Sequence, residues 1–406
     1  MDRAVEPAAM RVLMVLDKPF RTDLRVEREI RALRSRGYEL TLLCEGQADE
    51  PELSDWEGAE VRRLRPPSSR RARWAHYAMA TLTGRSPVWE HALYELVSRR
   101  PFDVIHCHDL PVANSGIRVA RRIGARTVFD RHENWPGLLQ GLRSDFPPGL
   151  RRQVLWSTIN NPTVWRHWEK KAVRAADLVI AVSHEAAQEL PTPPRDLAVV
   201  SNYVDLNALP EPSEMPPIDR DRPLRVCFVG VFNPMFALAE TVRAVALLPP
   251  AAATLVLVGD GDDRPRLERV VRELRLESQV RLLGWRPRLE ALAEIRDAHV
   301  CILPLRDNDL TRTTVGNKLF EYMGLERPVL SSGIGVMARI ISDAGAGEVV
   351  DPWTPEAVAA AFERLRGQPD RLAKMGRAGR TAVLTRYNWD REREALLLAY
   401  TRLLKK

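Results

Sequence analysis

The chain reads as an α/β protein of two doubly wound parallel-sheet domains, and three observations predict it. Short β-branched runs alternate with helical stretches through the first half. The rhythm stops at a proline-rich stretch, PEPSEMPPIDRDRP from Pro210 to Pro223, and then it starts again. The runs are continuously apolar rather than alternating, as strands buried on both faces by crossover helices must be. At 406 residues the chain also exceeds what one core of ordinary size holds.

Taken in order, the first half offers strands at RVLMVL from Arg11, YELTLLC from Tyr38, DVIHC from Asp103, RTVFD from Arg126, DLVIAV from Asp177 and LAVVS from Leu197. The second offers LRVCFVG from Leu224, TLVLVG from Thr254, QVRLLG from Gln279, HVCILPL from His299, PVLSS from Pro328 and GEVV from Gly347. The expected domains are residues 1–208 and 209–385, with the proline-rich stretch as linker and 386–406 as a C-terminal helix packing back on the first domain.

Composition narrows the class. Apolar residues make up 45% of the chain, yet runs such as Ala251 to Val258 fall far short of the roughly 20 residues that span a bilayer. The N-terminus carries Asp2 and Glu6 and no apolar signal-like stretch, so a soluble, cytoplasmic protein is expected. Cys44, Cys107, Cys227 and Cys301 each lie in or at the end of an apolar run, without a C-x-x-C pair, which predicts buried free thiols. A net charge of +7 raises the question of anionic partners. VRRLRPPSSRRAR, Val61 to Arg73, holds six arginines and no acid, and Trp74, His76, Tyr77 and Met79 follow it. It reads as a solvated loop and helix; a peripheral membrane or acceptor-phosphate contact through Arg62 to Arg73 is the functional alternative, ahead of nucleic acid, which is not expected as a partner.

Open parallel sheets bind ligands beyond the carboxyl ends of their strands. In the first half those places hold Asp17 and Lys18, then His106, His108 and Asp109, then Asp130, His132 and Glu133, then Ser183 and His184, then Asn202. In the second half they hold Gly230 and Asn233, Gly259 and Asp260, Trp285 and Arg286, Arg306 to Gly316, and Ser331 to Gly333. One half carries acid/base groups and the other carries glycines and helix starts, which predicts a cleft with a reaction partner on each wall. His106, His108 and Asp109 lack a further ligand in the pattern, and GDGDD from Gly259 reads as a strand-to-helix turn, so no metal is expected.

TTVGNKLFEYMGLERPVL poses an electrostatic question. The helix beginning near Asn317 places Lys318 in its first turn, where the macrodipole disfavours a cation. A bound anion would make the lysine welcome: Gly316 lets a ligand approach the backbone, and the free N–H groups of the first turn point at it. Glu321, one turn deeper, has two oxygens to offer a ribose diol. The plainer reading is an exposed Lys318–Glu321 pair worth about 0.2–0.5 kcal/mol.

The stretch NKLFEYMGLERPVL resembles the donor-nucleotide motif of retaining GT-B glycosyltransferases of family GT4. DLRVEREIRALRSRGYELTLL, DVIHCHDLP, ARTVFDRHENWP, ADLVIAVSHEAAQEL and VVSNYVD resemble successive signatures of that family's N-terminal domain. LVLVGDGDDRPRLE, VRLLGWRPRLEALAEIRDAHVCILP and YNWDREREALLLAYTRLL resemble its C-terminal domain and final helix, in matching order and spacing.

The resemblance implies a GT-B architecture, two Rossmann-like domains facing across a cleft. It implies transfer of a sugar from a nucleotide diphosphate sugar, most often UDP-linked, to the hydroxyl of a small-molecule or lipid-linked acceptor. Anomeric configuration is retained, and neither metal nor further cofactor takes part. His132 matches the active-site histidine that contacts the transferred sugar; with Lys318 and Glu321 it forms the expected catalytic set. Donor contacts fall on Trp285 and Arg286 at the base, on the helix start Gly316, Asn317 and Lys318 at the diphosphate, and on Glu321 at the ribose; position beyond the strand ends adds Gly230, Asn233, Thr313, Thr314, Val315 and, as a hypothesis from position, Arg312 to the expected donor set. Acceptor contacts fall on His108, Asp109, Glu133 and Trp135, with Trp156 and Trp165 nearby. Two departures stand out: Thr313 occupies the place of a usual glutamate, and GVFNPMFALAE lacks the usual arginine and lysine. They keep open a non-catalytic nucleotide-sugar binder, and the shared fold keeps open a sugar-nucleotide epimerase.

Overall fold

A computed structural model describes residues 9–65, 69–144, 161–218 and 222–405. The chain divides into two compact units, Met1–Ser201 with Glu392–Lys406, and Asn202–Arg391.

The first unit is built on eight strands: β1 Arg11–Pro19, β2 Glu39–Glu45, β3 Leu53–Trp56, β4 Ala59–Leu64, β5 Val104–His108, β6 Arg126–Arg131, β7 Leu178–Ala181 and β8 Leu197–Val199. Their order is β3-β4-β2-β1-β5-β6-β7-β8, parallel throughout except the β3/β4 pair. Of the central strands, β5 is buried along its whole length and β1 from Val12 to Leu16. The helix Leu24–Arg34 follows β1 because Asp23 caps it, accepting from the N–H groups of Arg25 and Val26. Leu13, Val15, Ile105, Phe129, Val112 and Ile117 fill the core on one side of the sheet.

The second unit carries β9 Leu224–Val229, β10 Ala253–Val258, β11 Val280–Gly284, β12 Val300–Leu303, β13 Val329–Ser332 and β14 Gly347–Val350, all parallel, in the order β11-β10-β9-β12-β13-β14. Every strand expected from the sequence forms. All four cysteines are free and buried, Cys44 and Cys107 in the first unit and Cys227 and Cys301 in the second. No helix among the described residues is long and apolar enough to cross a membrane.

Three expectations need correction. The arginine-rich segment is not a loop leading to a helix: Val61 to Leu64 belong to β4, which pairs antiparallel with β3 through a tight Glu57–Gly58 turn, both residues at positive φ. Its remainder enters the helix Arg70–Thr83, capped by Ser69, and residues 66–68 lie outside those described.

The proline-rich stretch is not a free linker. The Arg327 guanidinium, 1% exposed, donates to the carbonyl and hydroxyl of Ser213 at 2.9 Å and to the Arg296 carbonyl at 3.0 Å. Met215 and Ile218 pack on the second core, so the stretch is a strap on that unit.

The unit boundaries fall at Ser201/Asn202 and Arg391/Glu392 rather than 208/209 and 385/386. Tyr203 packs edge-on against Phe320 and Tyr387, and the Trp389 N–H donates to the Val204 carbonyl at 2.8 Å, which ties both crossing segments to the second unit. The final helix, Trp389–Lys405, sends Tyr400 into the first unit, where its hydroxyl lies 2.8 Å from His106 Nδ1.

Candidate functional site

In the first unit the carboxyl ends of β1, β5 and β6 converge on a buried polar network. Arg25 and Glu29 stand one turn apart on the helix Leu24–Arg34; His106 and His108 alternate to the same side of β5, and Asp130 is the last residue but one of β6. Arg25 grips Asp130 with two hydrogen bonds, Nε to Oδ2 at 2.8 Å and a terminal nitrogen to Oδ1 at 2.7 Å, and lies 3.0 Å from Glu29. His132 Nε2 faces Asp130 Oδ2 at 2.9 Å and His108 Nδ1 at 3.0 Å, while its Nδ1 lies 3.6 Å from Asp109.

The charges sort themselves by environment. Burial alone would lower the His132 pKa, but the carboxylates of Asp130 and Asp109 outweigh it and raise it to about 9. His106 falls well below its ordinary value, through burial and its neighbour His108, and burial lowers His108 as well. Of three imidazoles in contact, His132 is the one charged at neutral pH. Burial and the adjacent Asp130 push Glu29 up to about 8, whereas Asp130, despite burial, is held well below the usual range by Arg25 and then His132.

Glu29, His106, His108 and Asp130 bring four donor atoms within 4.8 Å of one another. The Arg25 guanidinium, bonded to both carboxylates, stands where a metal cation would have to compete.

Placement refines the expected acceptor set. His108 is fully buried, its ring stacked 4.3 Å from His106, and it supports His132 rather than facing solvent. Asp109 adopts φ 68°, and its Oδ1 accepts from the backbone N–H of His132 at 3.0 Å and of Glu133 at 3.2 Å, fixing the turn that presents the histidine. Glu133 and Trp135 do line a cavity of about 360 Å³, together with Asp17, Glu45, Trp89 and Trp165. Trp156 lies outside the described residues.

In the second unit the helix Asn317–Gly324 begins at Gly316 with no side-chain cap, which leaves its first N–H groups open to a ligand. Tyr322 pins it to β9, its hydroxyl accepting from the Val229 N–H at 3.0 Å. Lys318 folds across the end of β9. Its ammonium sits 4.8 Å from the Phe236 ring centroid and 5.6 Å from that of Phe228, with no hydrogen bond or ion pair among the described residues. Burial lowers its pKa to about 8, against the pull of Glu321. Gly230, at φ 145°, makes room: a Cβ there would lie 2.1 Å from Lys318 Cε.

Glu321 pairs with Arg288 at 3.0 Å, not with Lys318. Arg312 is clasped by Asp307 at 2.7 and 2.9 Å. The Thr314 hydroxyl donates to the Leu310 carbonyl at 2.7 Å, and Thr313 is buried with its hydroxyl 3.5 Å from the same oxygen. The Val315 carbonyl accepts from Asn202 at 3.2 Å. Asn233 Oδ1 accepts from the Met235 N–H at 3.2 Å, a local turn, while Trp285 is 65% exposed and Arg286 reaches Glu290 at 3.7 Å. Sequence reasoning missed Arg25, Glu29 and Arg288. A charged pair one turn apart amid the buried Val26, Ile30 and Leu33 was the available signal for the first two.

Two family models match the chain, Glycosyltransferase Family 4 over residues 25–208 and Glycosyl transferases group 1 over residues 223–368. The lipopolysaccharide core biosynthesis glycosyltransferase LpsD of Rhizobium meliloti is 26% identical over 48% of this chain and 54% of its own length. A D-inositol 3-phosphate glycosyltransferase of Thermobispora bispora is 26% identical over 59% of each chain. The alpha-D-kanosaminyltransferase of Streptomyces kanamyceticus is 27% identical over 38% of this chain and 39% of its own. The chain thus spans about half the length of such curated relatives. Among solved structures, sucrose-phosphate synthase from Thermosynechococcus elongatus superposes with a TM-score of 0.79 at 19% identity, covering 98% of this chain and 99% of that one. Anabaena HepE, solved with UDP and glucose, superposes with a TM-score of 0.69 at 16% identity, covering 97% and 100%. Two matched models that divide the sequence between them, on two Rossmann-like sheets of GT-B type, make this chain a member of the group 1, family 4 glycosyltransferases.

Proposed function

We propose that the protein transfers a sugar from a nucleotide diphosphate sugar, UDP-linked, to an acceptor hydroxyl with retention of anomeric configuration. The observation that carries this reading is Lys318, in the first turn of an uncapped helix, whose ammonium lies against Phe236 with no ion pair among the described residues. An anion with two or more phosphate oxygens satisfies the helix N–H groups and the lysine together. HepE, whose structure holds UDP and glucose, shares the fold and suggests the base.

In the proposed reaction the acceptor oxygen bonds to the anomeric carbon while the bond from that carbon to the diphosphate breaks. The electron pair leaves with the nucleoside diphosphate, and the acceptor proton passes to the departing phosphate oxygen. Charge grows on the leaving group, so electrostatic stabilisation there is the main demand. Lys318 and the helix start meet it. Arg312 would have to leave Asp307 to help. Glu321 takes the ribose diol, exchanging Arg288 for two hydroxyl donors. His132, an imidazolium, acts as a hydrogen-bond donor holding the transferred sugar and has no free base to offer at neutral pH. Thr313, neutral and buried, leaves donor-sugar choice to other groups.

The test is a thermal-shift panel of UDP, GDP, ADP and dTDP with their sugar conjugates on wild type and Lys318→Ala. A shift confined to one nucleotide and lost in the variant supports the reading, and proton NMR of the product anomer then reads retention. No shift with any nucleotide refutes it.

A further inference from the structure

The cavity of about 360 Å³ in the first unit has an unusual charge balance. Asp17 from β1, Glu45 from β2 and Glu133 after β6 all line it, and none of the three carboxylates makes a hydrogen bond or ion pair among the described residues. Lys18 lines the same cavity and is shared among its acids, 3.1 Å from Asp23 and 3.8 Å from Asp109, so the carboxylates outnumber the one lysine. Burial and the neighbouring Asp109 push Asp17 up to about 7 and also raise Glu133, against the opposing pull of Lys18 and His132.

The walls add a second, independent signal. Trp89, 7% exposed, lines the cavity, and its indole N–H donates to nothing among the described residues. Trp135 Nε1 is likewise buried and unpaired. Tyr77 and Trp165 complete an aromatic lining. Indole faces suit the C–H face of a saturated ring and attract a cation, while unpaired indole N–H groups ask for hydroxyl oxygens.

We infer that the acceptor of the transfer proposed above is an amine-bearing polyol, its ammonium held among Asp17, Glu45 and Glu133 and its ring stacked on the Trp89 and Trp135 indoles. This rests on the glycosyltransferase reading and narrows its substrate class. A phosphorylated acceptor, of the kind named for the D-inositol 3-phosphate enzymes, would place like charge against these carboxylates. An amine adds a cation to a lining in which carboxylates exceed the single lysine, and the cavity keeps hydroxyl acceptors for the rest of the ring.

Isothermal titration calorimetry on the full chain tests this with three probes of one shape: scyllo-inosamine, scyllo-inositol and scyllo-inositol phosphate, each with UDP measured on the same preparation. The amine should bind about tenfold tighter than the neutral ring at pH 7, and the phosphate weakest. Glu45→Gln and Asp17→Asn should each erode the amine preference without moving UDP affinity. Equal binding of amine and neutral ring, or preference for the phosphate, overturns the inference while UDP binding leaves the parent reading standing. Failure of UDP itself to bind removes both.

Discussion

Replacing Lys318 with methionine should make the protein more stable and its nucleotide binding weaker at once. Burial takes the Lys318 pKa from 10.5 to about 8, and at about 1.4 kcal/mol per pH unit the charged form costs about 3 kcal/mol in the free protein. The contacts with Phe236 and Phe228 return about 0.5–2 kcal/mol of that. Methionine keeps the length and fills the same apolar bed without the charge, so a net gain of about 1 kcal/mol is expected, read as a rise of about 2–4 °C in Tm at pH 7. Losing a charge-assisted contact to the diphosphate should cost about 1.5–3 kcal/mol of binding, or about ten- to 150-fold in Kd for UDP.

The pH dependence carries a sign. Between pH 8 and 10.5 the unfolded chain holds more protons than the native one, so wild-type stability rises with pH through that window and its deficit against the variant closes. UDP affinity of the wild type should fall above pH 8 while that of the variant stays flat. Calorimetry and thermal melts at pH 7 and 10 decide the matter. A variant that is less stable than wild type, with unchanged UDP affinity, would refute an anion-dedicated lysine and leave a structural one.

Gly230→Ala would drive a Cβ to 2.1 Å from Lys318 Cε at φ 145°, so UDP affinity should drop and stability fall by about 1–3 kcal/mol, measured by calorimetry and denaturant titration. Glu321→Ala should weaken UDP binding about tenfold while leaving the far-ultraviolet circular dichroism unchanged, since Arg288 is surface-accessible and rehydrates. His132→Gln should lower turnover yet leave UDP affinity intact. His132 is raised from 6.5 to about 9, so its stabilising charge is complete below pH 6.5 and lost as pH climbs to 9; the variant should flatten the wild-type decline in stability over that range. Arg25→Met should destabilise the protein by about 3 kcal/mol, because the buried Asp130 loses both guanidinium hydrogen bonds and keeps only His132 and His108 as partners; a denaturation midpoint equal to wild type would argue against the ion pair.

Strands such as β5 and β12 were legible because a parallel strand buried on both faces must be apolar along its length. The hairpin β3/β4 was not, since Leu53 is half exposed, Arg62 and Arg63 interrupt the apolar pattern, and Glu57 takes a positive φ more usual for glycine or asparagine. Lys318 announced itself by breaking the dipole rule within one turn, a local signal. The Arg25–Asp130 clasp joins residues 105 positions apart and exists only once β5 and β6 have found their register, which no short motif encodes. The same holds for Arg288 at Glu321 and for Arg327 under the proline-rich strap, both products of packing between distant segments.

The four sequestered thiols turn the protein into its own stability meter. Burial raises Cys107 to about 12 and Cys44 to about 11 and sends Cys301 well above its ordinary value. A folded chain should therefore ignore iodoacetamide at neutral pH, and each alkylation event would count an opening of the region around the modified sulfur. Two reporters lie in each unit, so peptide mapping of a time course would rank the lifetimes of the two halves separately, with no label introduced.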